Sequence, residues 1–112
     1  MSELPSHRTF FGDGDHDFRL EPDLIVELER VTGAGIGGLS RRFFVGDFSF
    51  TELTQVLRLG LIGGGMKPEE AHSLVTTYAA RMSVTELYAV ALPVIENVMF
   101  GSGSVQDRKS VV

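Results

Sequence analysis

The 112-residue chain contains no cysteine. Disulfide scaffolds and thiolate metal sites are therefore excluded, and a reducing compartment is compatible with the composition. No apolar run approaches the roughly 20 residues that a membrane-spanning helix requires. The opening Met1-Ser2-Glu3-Leu4-Pro5 lacks the basic-then-apolar pattern of a secretory signal. The expected state is a soluble protein of the cytoplasm with no membrane partner. Positive charge is also short, with a formal net charge of -5. Duplex DNA carries about one negative charge per 1.7 Å, so an acidic chain is repelled unless it carries a local basic face. Arg41-Arg42, with Arg30 upstream, is the best candidate for one, but three arginines near one helix are more often a solvated face. Nucleic acid is not an expected partner.

Reactive constellations are equally scarce. Gly33-Ala34-Gly35-Ile36-Gly37-Gly38 fits G-x-G-x-x-G, but dinucleotide binding needs a strand before the first glycine, and here a helical pattern precedes it. The run reads as a turn between helices. Asp13, Asp15 and Asp17 imitate the first ligands of a calcium loop, yet its sixth position is Phe18 and its twelfth is Leu24, where glycine and glutamate are required. An acidic hairpin tip is the better reading. His7, His16 and His72 are scattered away from metal-ligand spacing. Ser73, Thr76 and Thr77 have no evident base or oxyanion loop nearby. No catalytic, cofactor or metal residues are assigned, and an enzyme is not expected.

What is present is enough apolar material for one modest core: 43% of residues are hydrophobic. Residues 1–7 are polar with one proline and are expected to be flexible. Thr9, Phe10 and Phe11 read as a strand, Gly12-Asp13-Gly14-Asp15 as a turn, and His16 to Leu20 as a second strand with Phe18 and Leu20 on one side. Helices follow, punctuated at Gly33, Gly46, Gly60 and Gly101. Pro22 opens the first, which carries Leu24, Ile25, Leu28 and Val31 at helical spacing. A second runs from Gly38 to Val45, burying Leu39 and Phe43. Ser49 with Glu52 forms a capping box at the start of the third, worth about 1 kcal/mol at the cap. Leu53, Val56, Leu57 and Gly60 share its stripe, and Gly63-Gly64-Gly65 breaks it. Pro68 opens the fourth, in which Ala71, Leu74, Val75, Tyr78, Ala79 and Met82 keep the helical period. Ser83 with Glu86 caps the fifth, which buries Leu87, Val90, Ala91, Val94, Ile95 and Val98. Pro93 falls inside it, where a proline costs about 3 kcal/mol and commonly bends the helix. A polar tail over 101–112 is expected to be disordered. The fold expected is mainly α, one domain over 8–100, with an N-terminal β-hairpin packed on a small bundle of four to five short helices.

The fifth helix carries an excess of apolar surface, because Leu87 to Leu92 is apolar nearly all round. Either it lies centrally among the others, or Tyr88, Leu92 and Phe100 form an exposed patch for a partner. These readings stand level.

The ordered motifs carry a resemblance. Phe18-Arg19-Leu20, Leu28 to Gly35, Phe48 to Leu53, Val56 to Gly65 and Pro68 to Ala71 together resemble the gene-transfer-agent tail proteins, grouped with phage tail assembly chaperones and sometimes labelled tail-tube proteins. The resemblance spans roughly Phe10 to Phe100. It implies a non-enzymatic part that holds the tape-measure protein soluble and brings tail-tube subunits to it. Such factors act in the bacterial host cytoplasm and are usually absent from the finished particle, with association with the virion the alternative location. The family has no catalytic residues to carry over. The matching glycines Gly33, Gly35, Gly60 and Gly63 to Gly65 read as turn positions, and Pro93 departs from the expected final helix. The expected partner-contacting residues, on the last two helices, are Tyr78, Met82, Tyr88, Leu92, Met99 and Phe100. Self-association stays open. The alternatives are a structural tail-tube component, a small DNA-binding regulator and a calcium module.

Overall fold

The hairpin forms first along the chain. In the computed structural model, which describes residues 6–101, β1 (His7–Phe11) and β2 (Gly14–Phe18) make a two-stranded antiparallel sheet. His7 lies opposite Phe18 and Phe11 opposite Gly14, so the loop is Gly12 and Asp13 alone. The four-residue turn of the sequence pattern is thus too long. A two-residue loop matches the twist of paired strands, and Gly12 supplies the left-handed φ of 71° it requires. The first strand also begins at His7, two residues before Thr9. Of the flexible segments expected at the two ends, residues 1–5 and 102–112 lie outside the described residues.

Five helices follow: α1 (Pro22–Thr32), α2 (Ile36–Phe44), α3 (Phe50–Gly63), α4 (Pro68–Ala79) and α5 (Val84–Phe100). Prolines open α1 and α4, where an N–H is dispensable. Both capping boxes form. Ser49 Oγ accepts the Glu52 N–H at 3.0 Å, and Ser83 Oγ accepts the Glu86 N–H at 3.1 Å; each glutamate accepts the cap residue's own N–H in return. α2 starts at Ile36 rather than Gly38 because a carboxylate from another helix caps it. Gly35 has no side chain to offer, and Glu29 of α1 accepts the Ile36 N–H at 2.8 Å. α5 continues without interruption through Pro93.

α3 is the centre of the molecule, packing against α1, α4, α5 and β2. Leu53, Val56, Leu57, Leu59, Gly60 and Leu61 are all buried, so its apolar face wraps most of the way round. α5, the helix whose composition made it a candidate for that position, packs against α3, α2 and β1 and keeps exposed residues towards both of its ends.

The glycine run has a role the turn reading does not capture. Gly60 and Gly63 lie within α3, and Gly64 caps it in right-handed helical geometry. A Cβ on Gly63 would fall 1.7 Å from the Arg19 carbonyl oxygen, and one on Gly64 would fall 1.9 Å from that of Asp17. These glycines let the end of β2 lie directly on the helix. The Arg19 N–H donates to the Gly60 carbonyl at 2.9 Å, and Arg19 Nε donates to the Gly63 carbonyl at 3.2 Å. Backbone thus docks on backbone, and Phe18 and Leu20 are carried into the core. Among the described residues, no helix is long and apolar enough to cross a membrane.

Candidate functional site

Two surface regions stand out, and the residues expected to contact a partner are divided between them. The first is where α2 ends beside α5. Consecutive residues of a helix point about 100° apart, so Phe43 and Phe44 cannot share one environment. Phe43 is fully buried, whereas Phe44 is 39% exposed and Val45, just beyond the helix, 79%. Phe44 stacks on Phe100, with ring centroids 5.6 Å apart and planes 19° apart. Phe100 and Met99 are themselves more than a third exposed. The end of the domain therefore presents an aromatic and aliphatic patch.

Behind that patch lies an interior aromatic cluster. Tyr88 stacks on Phe48 at 4.6 Å, both pack against Phe43, and the Tyr88 hydroxyl donates to the Phe43 carbonyl. Tyr88 is thus engaged in joining α5 to α2. Leu92 is half-buried against the core. Phe44 and Val45, which are not among the expected contacts, are exposed beside the expected Met99 and Phe100. The adjacent Phe43-Phe44 pair, too apolar for one helix face, was the available signal.

A charge pair braces this end. Arg42 of α2 donates two hydrogen bonds to the Glu52 carboxylate of α3, at 2.9 and 2.6 Å, and Glu52 also caps Ser49. The Arg42 guanidinium holds the Glu52 carboxyl below the usual carboxylate range, against the opposing effect of burial. Its partner Arg42 is pushed upward by the same hydrogen bonds. Arg30, upstream, pairs with Glu27 at 2.6 Å. Arg30 and Arg42 are therefore balanced by carboxylates rather than set in a basic groove.

Replacing Arg42 by methionine is expected to lower the urea midpoint, because Glu52 stays largely buried without its cation. Acid should act through the same carboxyl. Glu52 has its folded pKa lowered from 4.5, so its stabilisation is complete above that value and lost as pH falls through the folded pKa. His7 is lowered from 6.5, mainly by burial with Glu96 opposing, so protonation below 6.5 also favours the unfolded chain. Urea midpoints should fall from about pH 7 to pH 4, and the drop below about pH 4.5 should shrink in Arg42→Met. A chain more stable at pH 4 than at pH 7 contradicts this.

The second region lies between the hairpin tip and α4. Tyr78 packs its ring under Gly12 and meets Phe11 edge-on at 6.4 Å. On one side of Tyr78 is a groove of about 610 Å³, lined by Asp13, His16, Met66, Glu69, Glu70, Ser73, Leu74 and Thr77 as well as Tyr78 itself. On its other side, Met82 lines a smaller hollow of about 380 Å³ with Phe10, Ala89 and Val90.

Two of the three hairpin aspartates are engaged in local pairs. Asp17 pairs with Arg8 at 3.1 Å, and Asp13 Oδ1 lies 2.8 Å from His16 Nε2. Among the described residues, no group of three or more His, Cys, Asp or Glu side chains could hold a metal ion. The run Gly33 to Gly38 joins two helices, with Gly33 closing α1 and Ile36 opening α2, so no strand feeds it.

Neither the curated proteins nor the solved structures give a match. The sequence pattern of one family, described as phage tail tube protein, GTA-gp10, matches residues 5–101, which takes in every strand and helix described above. That family comprises structural or assembly components of phage tails and is not a known enzyme family. With its hairpin, its five helices and both exposed regions inside the matched span, the chain belongs to the GTA-gp10 family of phage tail proteins.

Proposed function

We propose that the protein is a non-enzymatic tail assembly factor that binds the tape-measure protein, keeps it soluble in the host cytoplasm and brings tail-tube subunits to it. The observation that carries this reading is the patch of Phe44, Val45, Met99 and Phe100. Aromatic and aliphatic anchors presented together on helix ends are suited to cover an apolar stripe on another helix. The tape-measure protein, as a long helical chain, offers such stripes until the tube surrounds it.

Co-expression with a tape-measure protein of the same tail system tests the idea. The soluble yield of that protein should rise and the two should co-purify. The double variant Phe44→Asp/Phe100→Asp, folded by circular dichroism, should lose co-purification roughly tenfold. No gain in solubility together with no co-purification would end this reading.

A structural tube component is the second reading, favoured by the family's own description. Against it, the described residues offer a single two-stranded sheet, whereas ring-forming tube subunits generally rely on long sheets. Stoichiometric recovery of the protein in purified particles would decide for it.

A further inference from the structure

The apolar stripe of α4 is only half covered by the fold. Ala71, Val75 and Ala79, one per turn, are buried against α3. The neighbouring row, Leu74 and Tyr78, remains half-exposed, although the same helical period includes it. That row floors the 610 Å³ groove beside the hairpin tip. Glu69 and Glu70 provide its carboxylates together with Asp13, which is paired with His16 on the same lining, and among the described residues no lysine or arginine lines it. Ser73 and Thr77, both small and exposed, form the second row of the same helix wall. We propose that this groove is a second docking surface, separate from the α2–α5 patch, and that its occupant is an amphipathic helix of a partner protein carrying lysine or arginine beside its apolar stripe.

The chemistry of the groove selects that occupant. Residues 70, 74 and 78 form one i, i+4 row and residues 69, 73 and 77 another. Together they span about two to three turns, on the order of 12 Å, which is a length that a packed helix uses. The small residues Ser73 and Thr77 of the second row let a second helix axis approach closely, as in ridge-into-groove packing. Apolar anchors on the partner would cover Leu74, Tyr78 and Met66. Its cations would meet Glu69 and Glu70, which stand in the first turn of α4, and Asp13 at the hairpin tip. A partner helix with acidic flanks would be repelled by the same three carboxylates, so the groove discriminates by charge. This inference does not depend on the identity of the tape-measure partner and is tested without it.

The probe is a fluorescein-labelled amphipathic helix of leucine and lysine, about 18 residues or five turns long, and its counterpart in which glutamate replaces lysine. Fluorescence anisotropy should show the leucine–lysine helix binding the intact protein and the leucine–glutamate helix failing to bind. Glu69→Lys/Glu70→Lys should raise Kd roughly tenfold or more. Thr77→Trp, which fills the groove from an exposed position without altering charge, should do the same while the helical circular dichroism is retained. The control Asp23→Lys/Asp47→Lys reverses two exposed carboxylates outside the groove and should change Kd by no more than about twofold. Absence of binding by the leucine–lysine helix, equal binding of both probes, indifference to Thr77→Trp, or an equal loss in the control would each overturn the proposal.

Discussion

Gly63→Ala is expected to be among the most damaging single substitutions in the molecule, although alanine is the better helix former. In an exposed helix interior the exchange would gain roughly 1 kcal/mol. Here the new methyl would sit 1.7 Å from the Arg19 carbonyl oxygen, far inside contact distance, and the obstacle is backbone rather than a flexible side chain. The end of β2 must retreat by more than about 1 Å, on the order of half the missing van der Waals separation. Retreat breaks the Arg19 N–H bond to Gly60 and withdraws Phe18 and Leu20 from the core. Overpacking alone typically costs about 1–3 kcal/mol, and the loss of the docked strand adds to it, so a net loss of about 3 kcal/mol is expected. Gly14→Ala is the matched control. A Cβ there meets nothing within 4 Å and the φ is not left-handed, so a change within about 0.5 kcal/mol is expected. Urea midpoints of the two variants decide the matter. A Gly63→Ala protein at least as stable as the parent would falsify the backbone-docking account.

Phe18→Ala should have an effect of the same size or larger, for a different reason. Phe18 is fully buried, meets Phe11 edge-on at 6.2 Å, and has Gly60 directly beside its ring. Truncation removes the transfer free energy of the ring and leaves a cavity that cannot collapse, because β2 is pinned to α3 by the Arg19 bonds. Comparable changes cost about 3–5 kcal/mol. That is a large share of the roughly 5–15 kcal/mol by which domains of this size are stable. The melting temperature should fall by on the order of 15 °C. Phe10→Ala, on the opposite face of the same hairpin and 63% exposed, should change stability by less than about 0.5 kcal/mol. Equal losses at positions 10 and 18 would mean that the hairpin does not pack as described.

The two variants also mark how far the sequence can be read. Alternation along His16 to Leu20 is enough to put Phe18 on the buried side, because strand side chains change face at every residue. Gly63 is different. In sequence, Gly63-Gly64-Gly65 looks like a helix breaker, and only Gly65, with its φ of 115°, behaves as one. The requirement for glycine at 63 and 64 comes from the end of β2, a distant segment of the chain that local propensity cannot sense. Glu29 capping α2 from α1 is a second case: nothing near Ile36 announces a cap, so the helix begins earlier than its own residues imply.

The candidate surfaces show the same division. Tyr78 and Met82, beside the hairpin tip, and Met99 and Phe100, at the end of α5, stand out in the sequence as apolar residues on helices with more apolar surface than one face can bury. Tyr88 has identical credentials, yet its ring is stacked on Phe48 and its hydroxyl is bound to a carbonyl of α2. Which apolar residues join two helices in the interior and which stack at the surface, as Phe100 does on Phe44, depends on how helices are placed in space.

By itself the sequence determined the order of elements, the hairpin, the proline-opened helices and both capping boxes, since each depends on residues within a few positions of one another. It also carried the family pattern over residues 5–101. Only the tertiary structure decided that α3 rather than α5 is the central helix, that the glycines of α3 admit β2, and that the stripe of α4 stays half uncovered. Those outcomes are set by contacts between distant segments, where close packing leaves room for one arrangement and the local pattern permits several.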